Sequence, residues 1–142
     1  MTRVFGAPRA RVFQAVTDPA LIPRWWGPRI LTTTVERMDV RQGGVWRFVQ
    51  RDAAGAEYAF HGVYHLAQAP KRLVRTFEFE GMPGRVLLET VTFEDLGGST
   101  RMTSQSVFQS VADRDAMIGS GAERGGVESW DRLDDVLKRL PV

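Results

Sequence analysis

Between Leu31 and Phe108 the apolar and polar residues alternate with a period of two, whereas the stretches on either side follow the period of a helix. The alternation predicts strands over about Thr32 to Val40, Val45 to Arg51, Glu57 to Ala67, Leu73 to Phe79, Arg85 to Asp95 and Thr100 to Phe108. Turn signals separate them, among them Gln42-Gly43-Gly44, Ala69-Pro70-Lys71 and Gly97-Gly98. Connections this short mean an antiparallel meander, because parallel neighbours need crossovers of a dozen or more residues. Ahead of the meander, Thr2 to Gly6 reads as a short extended piece. Ala10, Phe13 and Val16 give helical spacing after Pro8, and Asp18-Pro19 ends that helix and opens a second short one through Trp25. At the other end Trp130, Leu133, Leu137 and Leu140 fall on one stripe of a C-terminal helix. The predicted order is strand, two short helices, six strands and a long helix, in one domain over residues 1–142.

A six- or seven-stranded antiparallel sheet with one apolar face must cover that face, and the terminal helix is the element long enough to do so. The expected architecture is α+β of the helix-grip type, a curved sheet wrapped around the long helix with an apolar pocket between them. Parity points Trp46, Phe48, Phe60, Gly62, Tyr64, Leu73, Phe77 and Phe79 into the concave side, and Gly62 there reads as volume left unfilled. Arg75 and Glu89 share that parity. A hairpin centred on Met82 would set Arg75 directly across from Glu89, as a semi-buried ion pair or, with Tyr64, Ser104 and Ser106, as the polar end of a ligand site.

A series of local motifs spans nearly the whole chain: Thr17-Asp18-Pro19, Trp25-Trp26-Gly27-Pro28, Asp39-Val40-Arg41-Gln42-Gly43-Gly44, Pro70-Lys71-Arg72-Leu73-Val74 and Gly98-Ser99-Thr100-Arg101-Met102. In this series the chain resembles the family homologous to the C-terminal domain of the activator of the heat-shock protein 90 ATPase, within the START-like or polyketide cyclase (SRPBCC) superfamily. The resemblance implies a helix-grip fold with a cavity used by relatives for lipids, polyketides, hormones or no known ligand. It does not imply one activity, since fold and function are separable. The co-chaperone that names the family has an additional N-terminal domain that this chain does not contain, which leaves a chaperone partner doubtful. Two departures are visible. The first strand is short, and Gly125-Gly126 stand where relatives tend to place Gly followed by Trp, so a bulky side chain is missing at the cavity mouth.

Composition and charge narrow the function classes. The 19 basic and 17 acidic residues alternate along the chain rather than forming a block, which argues against nucleic acid. Without cysteine there is no disulfide frame, no thiolate zinc site and no thiol nucleophile, and a cytoplasmic location is expected. No apolar run approaches the roughly 20 residues of a membrane span. His61 and His65 lie four apart on one strand, an arrangement read as solvent-facing because no third ligand is evident. No Gly-x-Ser-x-Gly elbow is present either. The expected function is binding of a small hydrophobic or amphipathic molecule, with no cofactor, no metal and no catalytic residue assigned. The expected ligand-binding residues are Trp25, Trp26, Trp46, Phe48, Phe60, Tyr64, Arg75, Phe77, Glu89, Ser104 and Trp130. The alternatives are a polyketide cyclase-like enzyme using Glu89 or Arg75 as acid or base, and a co-chaperone-type interaction module. A homodimer is compatible with the sequence. The glycines at 119, 121, 125 and 126 read as a loop running to a helix start near Val127, or as a mobile gate over the cavity.

Overall fold

The computed structural model describes residues 1–140, and its elements follow the change of period along the chain. β1 (Thr2–Phe5) leads into α1 (Arg9–Thr17) and α2 (Ile22–Trp25). Six strands follow: β2 (Thr32–Met38), β3 (Val45–Arg51), β4 (Glu57–Gln68), β5 (Arg72–Phe79), β6 (Val86–Asp95) and β7 (Thr100–Phe108). The chain ends in α3 (Val111–Gly119) and α4 (Ala122–Arg139). All seven strands join one antiparallel sheet in the order β1-β7-β6-β5-β4-β3-β2, so the meander is closed off by the first strand returning beside the last. This is the helix-grip arrangement. Among the described residues no helix is long and apolar enough to cross a membrane.

Local chemistry explains the helices. Pro8, in the extended region at φ −61° and ψ 150°, precedes α1, whose inner face buries Val12, Phe13, Ala15 and Val16. Phe13 meets Phe93 of β6 edge to face at 5.2 Å, which fixes α1 on the sheet. Asp18 ends the helix in extended geometry while its carboxylate accepts from the Ala20 amide at 2.9 Å. Trp25 then ties α2 to α1, its indole N–H donating to the Ala15 carbonyl at 2.9 Å.

Helix α4 crosses the concave face and buries Ser129, Trp130, Leu133, Val136 and Leu137 along one stripe. Trp130 packs edge to face on Phe5 of β1 at 5.9 Å, so the helix and the sheet edge share one aromatic anchor. Truncating a buried ring of this size costs about 3–5 kcal/mol. The helix begins at Ala122, behind Gly121 at φ +81°, and not near Val127 as the glycine run suggests. Gly125 and Gly126 therefore lie inside its first turns. Each glycine costs roughly 1 kcal/mol against alanine, and burial of the stripe further along offsets that cost.

A further helix was absent from the sequence-based expectation. α3 buries no residue at all, so it carries no apolar stripe for periodicity to detect. Its start is nevertheless written in Ser110, whose hydroxyl accepts from the Asp113 amide at 3.1 Å as an N-cap.

Candidate functional site

Between the sheet, α3 and α4 lies a cavity of about 1020 Å³, open on one side. Its sheet wall is a run of rings. Trp26 meets Phe60 at 5.2 Å, and Phe60 meets Phe77 at 5.4 Å and Phe79 at 5.1 Å. The opposite wall includes Met117 and Ile118 of α3 and Gly125, Gly126 and Trp130 of α4. The Trp-Trp-Gly-Pro corner is held from α4. The Arg132 guanidinium donates to the carbonyls of Gly27 at 2.7 Å and Arg24 at 3.2 Å, and the Ser129 hydroxyl accepts from the Gly27 amide at 2.8 Å.

The polar centre sits on β5, β6 and β7. Arg75 pairs with Glu89, and Phe77 with Leu87, as the hairpin symmetry about Met82 predicts. Arg75 Nε donates to Glu89 Oε1 at 2.8 Å, and the Ser104 hydroxyl donates to Glu89 Oε2 at 3.0 Å. Ser106 lies opposite Glu89 on β7 and also borders the cavity. The Arg75 guanidinium stacks over the Trp46 ring at 4.5 Å from its centroid, a cation–π contact in a water-poor setting. Only 12% of the Arg75 side chain and 19% of that of Glu89 is exposed. Burial pulls the Arg75 pKa down, but the Glu89 carboxylate and then Tyr64 outweigh it, and the net shift is upward, so the guanidinium stays charged. Burial pushes the Tyr64 hydroxyl up as well, opposed by the charge of Arg75. That hydroxyl is fully buried beside Arg75 and makes no hydrogen bond of normal geometry.

The structure sorts the sequence-derived residues into two layers. Trp26, Phe60, Arg75, Phe77, Glu89, Ser104 and Trp130 border the cavity, and so does Trp25, although its ring is buried and committed to α1. Trp46, Phe48 and Tyr64 do not border it; they are at most 1% exposed and form the layer beneath. Parity identifies the face of a strand but not the depth at which a side chain stops. Gly62 also needs correction. A Cβ there would lie 1.9 Å from the Thr76 carbonyl oxygen and 2.6 Å from Trp46 Nε1, so the space is occupied by close approach of β5 and not left empty. At the mouth, a Cβ on Gly126 would meet the Met1 sulfur at 3.2 Å, whereas one on Gly125 would meet nothing within 4 Å.

The two histidines separate. His61 faces the convex side, with Nδ1 3.0 Å from Glu80 and Nε2 3.5 Å from Glu78. His65 falls where the β4–β5 register shifts, so the pair does not share one regular face. Among the described residues no group of three or more His, Cys, Asp or Glu side chains could hold a metal ion. Three site residues escaped sequence reasoning: Gln50, Ser129 and Arg132. Gln50 was accessible to parity, since it follows Trp46 and Phe48 at the same spacing on β3. Ser129 and Arg132 reach partners more than 100 positions away, which no local pattern reveals.

Solved structures of the same fold cover nearly the whole chain. A Rhodobacter sphaeroides protein is similar at a TM-score of 0.92 and 26% identity, over 100% of this chain and 93% of that one. An Arthrobacter aurescens protein gives 0.91 and 29%, over 98% and 84%. DynU16, a protein in the dynemicin biosynthetic locus, shares the fold at a TM-score of 0.74 and 19% identity, over 98% of this chain and 46% of its own. No curated protein matches the chain. Residues 6–138 match the family described as Activator of Hsp90 ATPase homolog 1-like protein, and the chain belongs to that family.

Proposed function

We propose that the protein binds a small apolar or amphipathic molecule in the cavity between the sheet and α4. The observation that carries this reading is the cavity itself: about 1020 Å³, walled by rings around one desolvated polar cluster. Ligand sites of drug-sized molecules have this size and this mixture of apolar walls with a few convergent polar groups. A void of such volume would be costly if it served only packing, since lost contacts destabilise by about 24 cal/mol per Å³. Family membership is compatible with ligand binding, and the DynU16 likeness supports only the fold. Both Glu89 oxygens accept hydrogen bonds and Arg75 is held as a cation, an arrangement that favours holding a polar group over transferring a proton.

Two measurements test the reading. Native mass spectrometry of the purified protein should detect a retained small molecule or bind an added one with one-to-one stoichiometry. The environment-sensitive probe N-phenylnaphthylamine should brighten on binding, and Gly125→Trp, which adds a ring at the mouth from a position where a Cβ meets nothing within 4 Å, should weaken it by about tenfold, roughly 1.4 kcal/mol. A wild-type protein that neither retains nor binds any apolar molecule overturns the proposal.

A further inference from the structure

At the Trp26 end of the cavity stands a second polar group that the Arg75 cluster does not reach. Gln50 is 4% exposed and Ser129 is 7% exposed, and both border the cavity on either side of Gly27. The Gln50 carboxamide occupies the place of a side chain at residue 27, since a Cβ there would lie 1.8 Å from Gln50 Nε2; Gly27 at φ +90° is what admits it. The Gln50 side chain makes no hydrogen bond among the described residues. Ser129 accepts the Gly27 amide through Oγ and keeps its own hydroxyl hydrogen to give. Buried amides are ordinarily bonded, and one that faces a cavity unbonded is a partner prepared for something that enters.

The charged neighbours already have neutral hydrogen-bond partners. Asp52 accepts from the Ala54 and Ala56 amides and from the Tyr58 hydroxyl. Arg132 gives its hydrogens to the Gly27, Pro28 and Arg24 carbonyls. Arg132 keeps its charge but lines a separate cleft with Arg24, Arg29 and Asp135, whereas the Asp52 carboxylate borders the cavity two residues beyond Gln50. An anionic group beside Gln50 would therefore be desolvated next to a like charge, at heavy cost, and a hydroxyl or carboxamide could both donate and accept there. The Arg75–Glu89 pair carries no net charge. On β4, Gln50 faces Tyr58 and Arg75 faces Tyr64, so the two polar points lie on the order of 20 Å apart along the strand, less the inward reach of both side chains.

We propose that Gln50 and Ser129 form a second polar contact of the cavity, and that the ligand is an elongated, uncharged molecule with a hydrogen-bonding group at each end. This rests on the ligand-binding reading above. The test uses three probes of equal chain length, namely dodecanol, dodecanediol with hydroxyls at both ends, and dodecanoate, each competing with N-phenylnaphthylamine. Gln50→Leu should weaken the diol by about tenfold, the equivalent of one hydrogen bond, while changing dodecanol less than about twofold. Ser129→Ala should act in the same direction, and dodecanoate should bind more weakly than dodecanol throughout. Because the carboxamide has no protein partner, Gln50→Leu should melt at or above the wild-type temperature.

An unchanged ratio of diol to alcohol, or tighter binding of dodecanoate than of dodecanol, overturns the inference while leaving ligand binding intact. A fall in melting temperature of more than about 5 °C also overturns it, by showing the carboxamide bonded within the fold. If the wild type binds none of the three probes, the inference and the ligand-binding proposal fall together.

Discussion

Strand β5 sends charged side chains to both faces of the sheet, and the two networks they join use the same chemistry in different surroundings. On the concave side Arg75 meets Glu89 with about a tenth to a fifth of each side chain exposed. On the convex side Arg47 of β3 grips Glu80 through two bonds of 2.8 and 2.9 Å and also contacts Glu36 of β2, while His61 of β4 reaches Glu80 and Glu78. That ladder crosses four strands, yet 37% of Arg47 and 32% of Glu80 remain exposed. Water screens the outer network and excludes itself from the inner one, so geometry alone ranks neither. The outer pairs clamp strands together at little net gain. The inner pair keeps a charge dry inside a cavity, where a ligand can compete for its hydrogen bonds.

The largest expected effect follows from breaking the inner pair on one side. Glu89→Ala leaves the Arg75 guanidinium buried without its carboxylate, and unfolding in urea should show a loss of about 3–5 kcal/mol. A loss below about 1 kcal/mol would mean that the cation escapes to water and that the inner and outer networks are alike. Removing both charges is a different experiment. Arg75→Met combined with Glu89→Leu should restore stability to the wild-type level or above, because apolar groups of similar volume need no desolvation. If the double variant is as damaged as the single one, the pair holds the fold together, and the contrast between the faces is one of degree.

The contrast also marks how far the sequence could be read. Period and turn spacing placed the six strands of the meander, and hairpin symmetry about Met82 set Arg75 against Glu89, because register in a tight antiparallel pair is a matter of counting. Counting fails wherever a residue is inserted, as at the β4 register shift that carries His65 off the face of His61. It is also silent about depth. Trp46 shares the parity of Arg75's partners yet lies beneath the Arg75 guanidinium, and Gly62 shares it yet packs on the Thr76 carbonyl. Gln50 was reachable by parity alone, but a polar residue at a strand end reads as surface until Gly27 is seen to fold over it. Nothing local announces that α4 returns to grip the Trp26 corner through Ser129 and Arg132. α3 went unseen for the converse reason, since a helix that buries nothing leaves no stripe.

Smaller effects belong to the convex side, and they sharpen the comparison through salt and pH. Glu80→Gln should cost about 0.2–1 kcal/mol at neutral pH, because Arg47 and Glu80 are each about a third exposed. That cost should shrink in 1 M NaCl, where the screening length is about 3 Å, whereas the penalty of Glu89→Ala should barely change. The pH dependence has a definite sign. Bonds from Arg47, and secondarily from His61, hold the Glu80 carboxyl down at about 2, against an ordinary 4.5. A group whose pKa is lower in the folded chain binds its proton first in the unfolded one, so its stabilising contribution is complete above pH 4.5 and disappears as the pH falls toward 2. The stability difference between wild type and Glu80→Gln, followed by urea titration, should therefore be present at about pH 5 and close between 4.5 and 2. A difference that stays constant through that window would show the carboxylate to be unperturbed, and the outer ladder would then contribute nothing that distinguishes it from charges standing alone in water.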